Sequence, residues 1–297
     1  MGGQTGTGPS WQGVSWALSA AVMYAAMNAF GKVGHLYLTV WQMAMGRFIL
    51  GLLVLIPLAL VLKIDLWGSH RGLHLIRSGS AVISFLLLLT AFKTVPVSEA
   101  IVIFYTWPAF ISLLSGPVVG EPTRAWEWPF IAAAFMGSAL VIWPEGGGFQ
   151  PAQGHLLSLT GALFGSVAVI LVRRLGRDNN PFAIFFYLCL VGGVAGLFPW
   201  LKAGLAGSDP LLPGGGTAWL VLLLMAGPSV LCQLFMNKGF QYLRAPQMGV
   251  LMTMELPLVA GFGVLALGEP LSWRLLTGAA LVIISGLILN LSPFGKQ

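Results

Sequence analysis

Ten apolar stretches, separated by short polar connections, make up most of this sequence. An α-helix rises about 1.5 Å per residue, so about 20 apolar residues are enough to cross the hydrocarbon core of a bilayer. The stretches cover residues 13–31, 39–62, 78–92, 97–119, 126–143, 154–172, 181–201, 218–239, 246–267 and 272–291, and the third looks short. The pattern predicts an all-α integral membrane protein with ten transmembrane helices.

The charge content agrees with this fold class. Charged residues make up 8% of the chain and hydrophobic residues 57%, with a mean hydropathy of +0.87, whereas about 25% of residues are charged in a typical soluble domain. The segment before the first apolar stretch contains no lysine or arginine, so that stretch is expected to remain as a helix instead of being cleaved as a signal. The two cysteines, Cys189 and Cys232, lie in apolar stretches without a metal-binding spacing. We expect neither a metal nor another cofactor.

Lysine and arginine are distributed unevenly between the two sides of the predicted bundle. The side of the N-terminus receives ten of them, namely Lys63, Arg71, Arg77, Arg124, Arg173, Arg174, Arg177, Lys238, Arg244 and Lys296, and the other side receives four, namely Lys32, Lys93, Lys202 and Arg274. Because cytoplasmic loops collect basic residues, we predict a multi-pass protein of a plasma membrane, with the bacterial inner membrane favoured and both termini in the cytoplasm. We interpret the net charge of +6 as the result of these topology-determining basic residues. No aromatic and basic face outside the membrane indicates a nucleic-acid partner.

A Gly-Glu-Pro tripeptide occurs twice, with its two glutamates 148 residues apart. The copies are Gly120, Glu121 and Pro122, and Gly268, Glu269 and Pro270. Glycine is favoured just past the end of a helix, proline is favoured in the first turn of a helix, and a carboxylate stabilises the positive N-terminal end of a helix. We interpret each copy as a structural corner that ends one helix and caps the next. The alternative is that the glutamates carry protons.

The repeat extends beyond this tripeptide and divides the chain into two halves. Residues 92–108 and 240–257 both contain a helix end, a proline turn and a second helix with a proline in the middle of its span, Pro108 and Pro257. The predicted halves are residues 1–148 and 149–297, with five helices each. Because five is odd, the second half enters the membrane in the opposite orientation, and such inverted repeats are typical of secondary transporters.

This ordered duplication resembles the drug/metabolite transporter superfamily with tandem EamA-type repeats. The resemblance covers nearly the whole chain and rests on the mid-span prolines, the Gly-Glu-Pro corners and a glycine in each last helix, Gly137 and Gly286. In size the chain is also similar to bacterial aromatic amino-acid exporters of the YddG type. The resemblance implies export of small metabolites or amphipathic compounds through a central cavity between helices 1, 3, 4, 6, 8 and 9.

Polar and aromatic side chains within the predicted helices are candidates for the lining of this cavity. They are Tyr24 and Asn28 on helix 1, Ser84 on helix 3, Tyr105 and Trp107 on helix 4, Ser166 on helix 6, and Gln233 and Asn237 on helix 8. The alternative is that small polar residues pack helices against one another, as they do in many membrane proteins. The pair of amides on helix 8 favours a cavity, because two amides facing lipid would be costly.

Two charged residues lie deep within predicted helices. Arg47 is on helix 2 and Glu255 on helix 9, and a charge at the centre of a membrane costs at least about 2.5 to 3.5 kcal/mol. Glu255 is a candidate for contact with a substrate amino group or for proton carriage, and Arg47 for binding a carboxylate. A structural ion pair is the alternative for both.

These features together predict a secondary transporter that exports small metabolites by alternating access, with aromatic amino acids or amphipathic compounds favoured. Proton-coupled efflux of drugs or organic cations is the alternative, followed by a channel or a membrane scaffold. No GxxxxGK[ST] phosphate loop and no HExxH metal motif is present, so we expect neither an ATP-driven pump nor an enzyme. The expected partners are a small-molecule substrate and the lipid bilayer, while energy coupling and oligomeric state stay open.

Overall fold

The protein is a bundle of α-helices. The structure, a computed structural model, describes residues 11–95, 97–142, 153–207, 210–267 and 273–291, and these ranges contain twelve α-helices, one short 3₁₀ helix and no β-strand. The α-helices are α1 Trp11–Gly34, α2 Val40–Leu62, α3 Arg71–Ala91, α4 Val97–Phe104, α5 Trp107–Val119, α6 Trp128–Ile142, α7 Gln153–Leu175, α8 Pro181–Leu205, α9 Gly216–Tyr242, α10 Ala245–Met252, α11 Glu255–Leu267 and α12 Trp273–Leu291. The 3₁₀ helix, Ala125–Glu127, precedes α6.

Two of the predicted transmembrane helices are each broken into two half-helices. The first break lies between α4 and α5 and the second between α10 and α11. Proline has no N–H to donate to the carbonyl four residues earlier. Pro108 therefore leaves the carbonyl of Phe104 without this helical bond, and Pro257 does the same for Thr253. The first halves of the two spans end at these positions. Twelve helices therefore form ten spans, arranged as two inverted repeats of five, as the sequence predicted.

Length and composition support these spans. Seven helical stretches of the described residues are long and apolar enough to cross a membrane: Trp11–Gly31, Val40–Leu62, Arg71–Ala91, Glu99–Val119, Gln153–Leu175, Pro181–Leu205 and Gly216–Tyr242. The other three spans are α6, the broken pair of α10 and α11, and α12. The predicted division between residues 148 and 149 and the second corner, Gly268, Glu269 and Pro270, lie outside the described residues.

The third helix begins about two turns earlier than the apolar pattern predicted. It starts at Arg71 instead of Ser78, because His74 and Arg77 interrupt the apolar pattern at its beginning. Both of these side chains are buried within the bundle. Arg77 is therefore not a loop residue, and counting it among the basic residues of the loops was wrong.

The helices pack in pairs that are related by the internal repeat. The first helix of each half packs on the third helix of the other half, giving the pairs α1 with α9 and α7 with α3. The second helices of the two halves, α2 and α8, pack on each other, as do the last helices, α6 and α12. The last pair is close: a Cβ placed on Gly137 would lie 2.6 Å from the carbonyl oxygen of Gly278. The two halves therefore form one interlocked bundle.

Several charged side chains at one end of the bundle form ion pairs with one another, and we call this end the basic end. It carries Asp65, Glu121, Arg173, Arg177 and Arg244, which lie at the ends of adjacent helices or in the connections between them. The half-helices next to it, α5 and α10, pack on each other, whereas α4 and α11, nearer the opposite end, are not among the closely packed pairs of the described helices. The half-helices of the two repeats are thus in contact near the basic end.

Candidate functional site

The two helix breaks meet in the centre of the bundle. Glu255 is the first residue of α11, and its carboxylate accepts a hydrogen bond from the hydroxyl of Tyr105, which lies in the break between α4 and α5. Both residues are buried. A break in a transmembrane helix exposes backbone polar groups and places side chains in the bundle interior, an arrangement that is typical of transporter binding sites. The structure therefore brings together two of the predicted site residues, one from each half.

A second tyrosine lies among the charged groups. Tyr24 on α1 is close enough to Glu255, to Arg47 on α2 and to Arg77 on α3 for their charges to act on its hydroxyl. Arg47 donates a hydrogen bond from Nε to the Ser229 hydroxyl oxygen on α9, at 2.9 Å. We call these residues, together with Tyr105 and Gln233, the central cluster: Tyr24, Arg47, Arg77, Tyr105, Ser229, Gln233 and Glu255. The cluster joins helices of both halves.

Arg77 is a site residue that the sequence reasoning missed. Its Nη2 atom lies 3.5 Å from Oε1 of Gln233 on α9, and its side chain is 3% exposed. The available signal was its spacing: Arg77 lies seven residues, or about two helical turns, before the predicted cavity residue Ser84, and hence on the same face of the helix. Assigning it to a loop hid this relation.

Two of the predicted serines take part in packing and backbone contacts. The Ser84 hydroxyl donates to the carbonyl oxygen of Gly161 on α7 at 2.7 Å, and the Ser166 hydroxyl donates to the Leu163 carbonyl of its own helix, also at 2.7 Å. Both serines are buried. A hydroxyl that is bonded to a helix carbonyl in this way gains a partner without lining a cavity. These contacts favour the helix-packing interpretation for both serines.

The other predicted residues flank the central cluster. Asn237, one turn after Gln233 on α9, donates from Nδ2 to the Pro181 carbonyl at the start of α8, at 3.1 Å. Asn28, one turn after Tyr24 on α1, is partly buried. Trp107, at the start of α5, is partly buried and packs on the main hydrophobic core. Each of the three therefore lies within about one helical turn along the chain of a member of the central cluster.

The first Gly-Glu-Pro corner links the two halves instead of capping its own next helix. Gly120 ends α5 with a positive φ of 71°. The Glu121 carboxylate accepts hydrogen bonds from Arg173 Nε at 2.8 Å and from the backbone N–H of Ala245, at the start of α10, at 3.1 Å. It therefore stabilises the N-terminus of a helix in the other half, because the next helix in its own half starts several residues later.

A second ion pair at the basic end also joins the halves. Arg244 Nη1 donates to Glu127 Oε1 at 2.6 Å, and Arg244 Nη2 donates to the Pro122 carbonyl at 2.6 Å. Glu127 also accepts from the backbone N–H of Arg124 at 2.7 Å, and its side chain is 1% exposed. We call the two pairs, Glu121 with Arg173 and Glu127 with Arg244, the basic-end clamp.

The titratable groups do not form a metal site. In the described part of the chain, no three histidine, cysteine or acidic side chains lie close enough to hold one ion. His155 is near Glu99, with 3.0 Å between Nε2 and Oε2, at the end of the bundle opposite to the clamp. The chemistry available to the central cluster is therefore hydrogen bonding, charge and contact with aromatic rings.

Comparison with known proteins places this arrangement in a family. The model of the EamA-like transporter family matches residues 11–143 and again residues 152–291. The chain is 27% identical to the riboflavin transporter of Vibrio cholerae, over 92% of this chain and 91% of that protein. It is 22% identical to the pseudopaline exporter CntI of Pseudomonas aeruginosa, over 95% of this chain and 97% of that protein.

Two more distant proteins are also similar to this chain over most of its length. Human solute carrier family 35 member G1 is 21% identical over 92% of this chain and 77% of its own length. A protein of known crystal structure superposes with a TM-score of 0.79 at 20% identity, over 96% of this chain and 99% of its own. At this identity the superposition shows the fold alone.

Proposed function

The chain belongs to the EamA-like transporter family and is a membrane-embedded transporter of small molecules, and we propose that its substrate is a small aromatic metabolite that it exports by alternating access. The central cluster is the observation that carries this proposal. It combines the rings of Tyr24 and Tyr105 with the carboxylate of Glu255 and the guanidinium of Arg47. Flat apolar walls with a few convergent polar groups are the usual make-up of a small-molecule site.

Aromatic amino acids are the first substrate candidates, as in exporters of the YddG type. Their ammonium group suits Glu255, and an ammonium next to an aromatic face gains about 0.5 to 2 kcal/mol. Their carboxylate suits an arginine, and their ring suits the tyrosines and Trp107. Asn28, Gln233 and Asn237 add hydrogen-bonding capacity near the same place. Sugars and nucleotides would need more hydroxyl or charge partners than the described spans contain.

Riboflavin is the second candidate. The transporter of Vibrio cholerae that matches nearly the whole chain carries this name, and the substrate is itself flat and aromatic. Its ring system is rich in hydrogen-bond acceptors and lacks an ammonium group. It would therefore depend on the amides and arginines of the cluster and make little use of the Glu255 carboxylate.

A flux experiment tests the proposal and separates the two candidates. Liposomes that contain the purified protein are loaded with labelled tryptophan or with riboflavin. Efflux of the compound is compared with that from equally loaded liposomes without protein, with and without a pH gradient. We expect saturable tryptophan efflux that excess phenylalanine inhibits. Movement of riboflavin without tryptophan would favour the second candidate, and movement of neither would contradict both.

The proposed orientation places the basic end and both termini in the cytoplasm, in a bacterial inner membrane. Its support is the excess of lysine and arginine at that end. Single cysteines at Gly176 and at Leu212, in connections at opposite ends of the bundle, test it with a membrane-impermeant thiol reagent in whole cells. We expect the cysteine at position 212 to be labelled and the cysteine at position 176 to stay unlabelled. Labelling at position 176 alone would show that the topology is the reverse of the one proposed.

A further inference from the structure

Arg77 is a charged side chain in the interior of the bundle whose hydrogen-bonding capacity the protein leaves largely unused. Its Nε and Nη1 atoms are buried and have no hydrogen-bond partner among the described residues, and its Nη2 atom has only the contact of 3.5 Å to Gln233. None of the ion pairs among the described residues includes it. Buried polar groups are nearly always paired, so an exception of this size calls for an explanation.

The surroundings of Arg77 show where its guanidinium points. Arg77 contacts Gln233 on α9 and lies near Tyr24 on α1, both of which belong to the central cluster, and it also lies near Cys189 on α8. One turn towards the basic end, His74 stacks on Tyr187 with ring centroids 4.5 Å apart, and both rings are buried. Arg77 is itself only 3% exposed, so it has little contact with the solution at the basic end. The guanidinium is therefore directed into the centre of the bundle.

The charge balance of the central cluster favours an anionic partner for Arg77. The cluster holds two arginines and one glutamate, and the carboxylate of Glu255 is bonded to Tyr105. Arg47 already donates from Nε to Ser229 at 2.9 Å. A guanidinium offers its N–H groups in a planar fork that fits the two oxygens of a carboxylate. Each of the two arginines has one hydrogen-bond contact, but the unbonded Nε and Nη1 atoms of Arg77 are buried, so Arg77 has the greater need of an anionic partner.

We propose that Arg77, with Gln233 beside it, is the subsite that binds the carboxylate of the transported molecule. This inference deepens the proposed function and rests on it, because it takes the central cluster as the substrate site. It assigns to Arg77 the role that the sequence analysis gave to Arg47. A substrate carboxylate brought between α3 and α9 would supply the missing hydrogen-bond acceptors. The protein would then carry an uncompensated charge when empty and a compensated one when loaded.

Binding measurements on the purified full-length protein test the subsite independently of transport. The probes are indolepropionate, which has the ring and the carboxylate, and tryptamine, which has the ring and an ammonium group. Affinity is taken from the rise in Tm with ligand concentration. We expect Arg77→Gln to weaken indolepropionate binding about 10- to 100-fold, the value of a hydrogen bond to a charged group, and to leave tryptamine binding unchanged.

Two controls separate recognition from structure. Arg71→Gln removes an exposed charge from the same helix and is expected to change neither affinity. The Tm of ligand-free Arg77→Gln should equal or exceed that of the wild type, because removal of an unpaired buried charge costs no stability. A Tm loss as large as that expected below for Glu127→Ala would overturn the proposal, since it would show that Arg77 is paired in the native protein.

The outcomes distinguish this inference from the proposed function. If the wild type transports tryptophan but Arg77→Gln binds indolepropionate as tightly as the wild type, the subsite is wrong and the function stands. If tryptophan is not transported but indolepropionate binds in an Arg77-dependent way, the subsite stands and the substrate assignment is wrong. If the wild type does not bind indolepropionate at all, the subsite is overturned.

Discussion

The arginines at the basic end and the arginines in the bundle centre are used in opposite ways. Arg173, Arg177 and Arg244 each donate to an acceptor in the first half of the chain, at 2.6 to 3.0 Å. Arg47 and Arg77 also face the other half, but each has a single contact there among the described hydrogen bonds. A fully paired charge holds two elements together, whereas a buried charge with few partners keeps bonding capacity for a ligand. The arginines of the basic end thus hold the two halves together, and the central arginines are those to which we assign substrate recognition.

The largest expected effect is on stability at the clamp. Glu127→Ala leaves Arg244, which is 26% exposed, with the Pro122 carbonyl as its remaining partner, and breaking a fully buried ion pair costs about 3 to 5 kcal/mol, so a cost of up to about 3 kcal/mol is expected here. We expect the Tm of the purified protein to fall by up to about 5 °C. Asp178→Ala is the matched control, because its pair with His70 is 3.7 Å long and more than half exposed. An equal Tm for the two variants would show that the clamp does not stabilise the bundle.

The second effect concerns the one acidic side chain of the central cluster. Glu255→Gln keeps the size and the hydrogen bond to Tyr105 but removes the charge, so tryptophan flux should fall about 10- to 100-fold while the Tm is retained. Glu99→Gln removes a carboxylate at the opposite end of the bundle and should leave the flux nearly unchanged. Normal flux through Glu255→Gln at both acidic and neutral pH would exclude proton carriage and recognition of an ammonium group by this residue.

A third variant tests whether the clamp closes the bundle. Glu121→Gln weakens the bonds to Arg173 and Ala245, and loss of a charge-assisted hydrogen bond shifts an equilibrium about 10-fold or more. Ile111 on α5 lies against Gly249 on α10, since a Cβ placed on Gly249 would lie 3.4 Å from the Cδ1 atom of Ile111. A cysteine at position 111 should therefore react about 10-fold faster with a thiol reagent from the basic end when Glu121 is replaced. Equal rates would show that the clamp does not control access.

Trp107 lies next to the central cluster, and a smaller effect is expected there. Removal of its ring in Trp107→Ala should slow tryptophan flux about 2- to 12-fold, the range of a contact between two aromatic rings. Trp107→Phe keeps an aromatic face and should recover most of the flux. If both variants lose flux equally, Trp107 supports the packing of α5 and makes no contact with the substrate.

The smallest effect is expected at a serine that the sequence analysis placed in the cavity. Ser84→Ala removes the bond to the Gly161 carbonyl, which should cost about 1 kcal/mol of stability or less and leave substrate affinity unchanged. Ser166→Ala should behave in the same way. A specific loss of substrate affinity in either variant would place these hydroxyls back among the cavity residues.

The number of spans was predicted, and the prolines at which two of the helices break were identified, because both depend on local properties. Apolar length determines whether a helix can cross a bilayer, and Pro108 and Pro257 remove a backbone hydrogen bond wherever they occur. The odd number of helices in each half then determines the inverted orientation. For the same reason the error at α3 was local, since two polar residues at its beginning concealed the start of a helix.

The partners of the polar side chains were decided by the tertiary structure. Glu121 was expected to cap the next helix of its own half, yet its carboxylate bonds to Arg173 and to the start of α10, more than 50 residues away along the chain. Arg77 faces Gln233 only because α3 and α9 come together in the bundle. A sequence shows which groups need partners, but distant helices supply those partners. Their choice therefore depends on which helix faces meet when the two halves interlock.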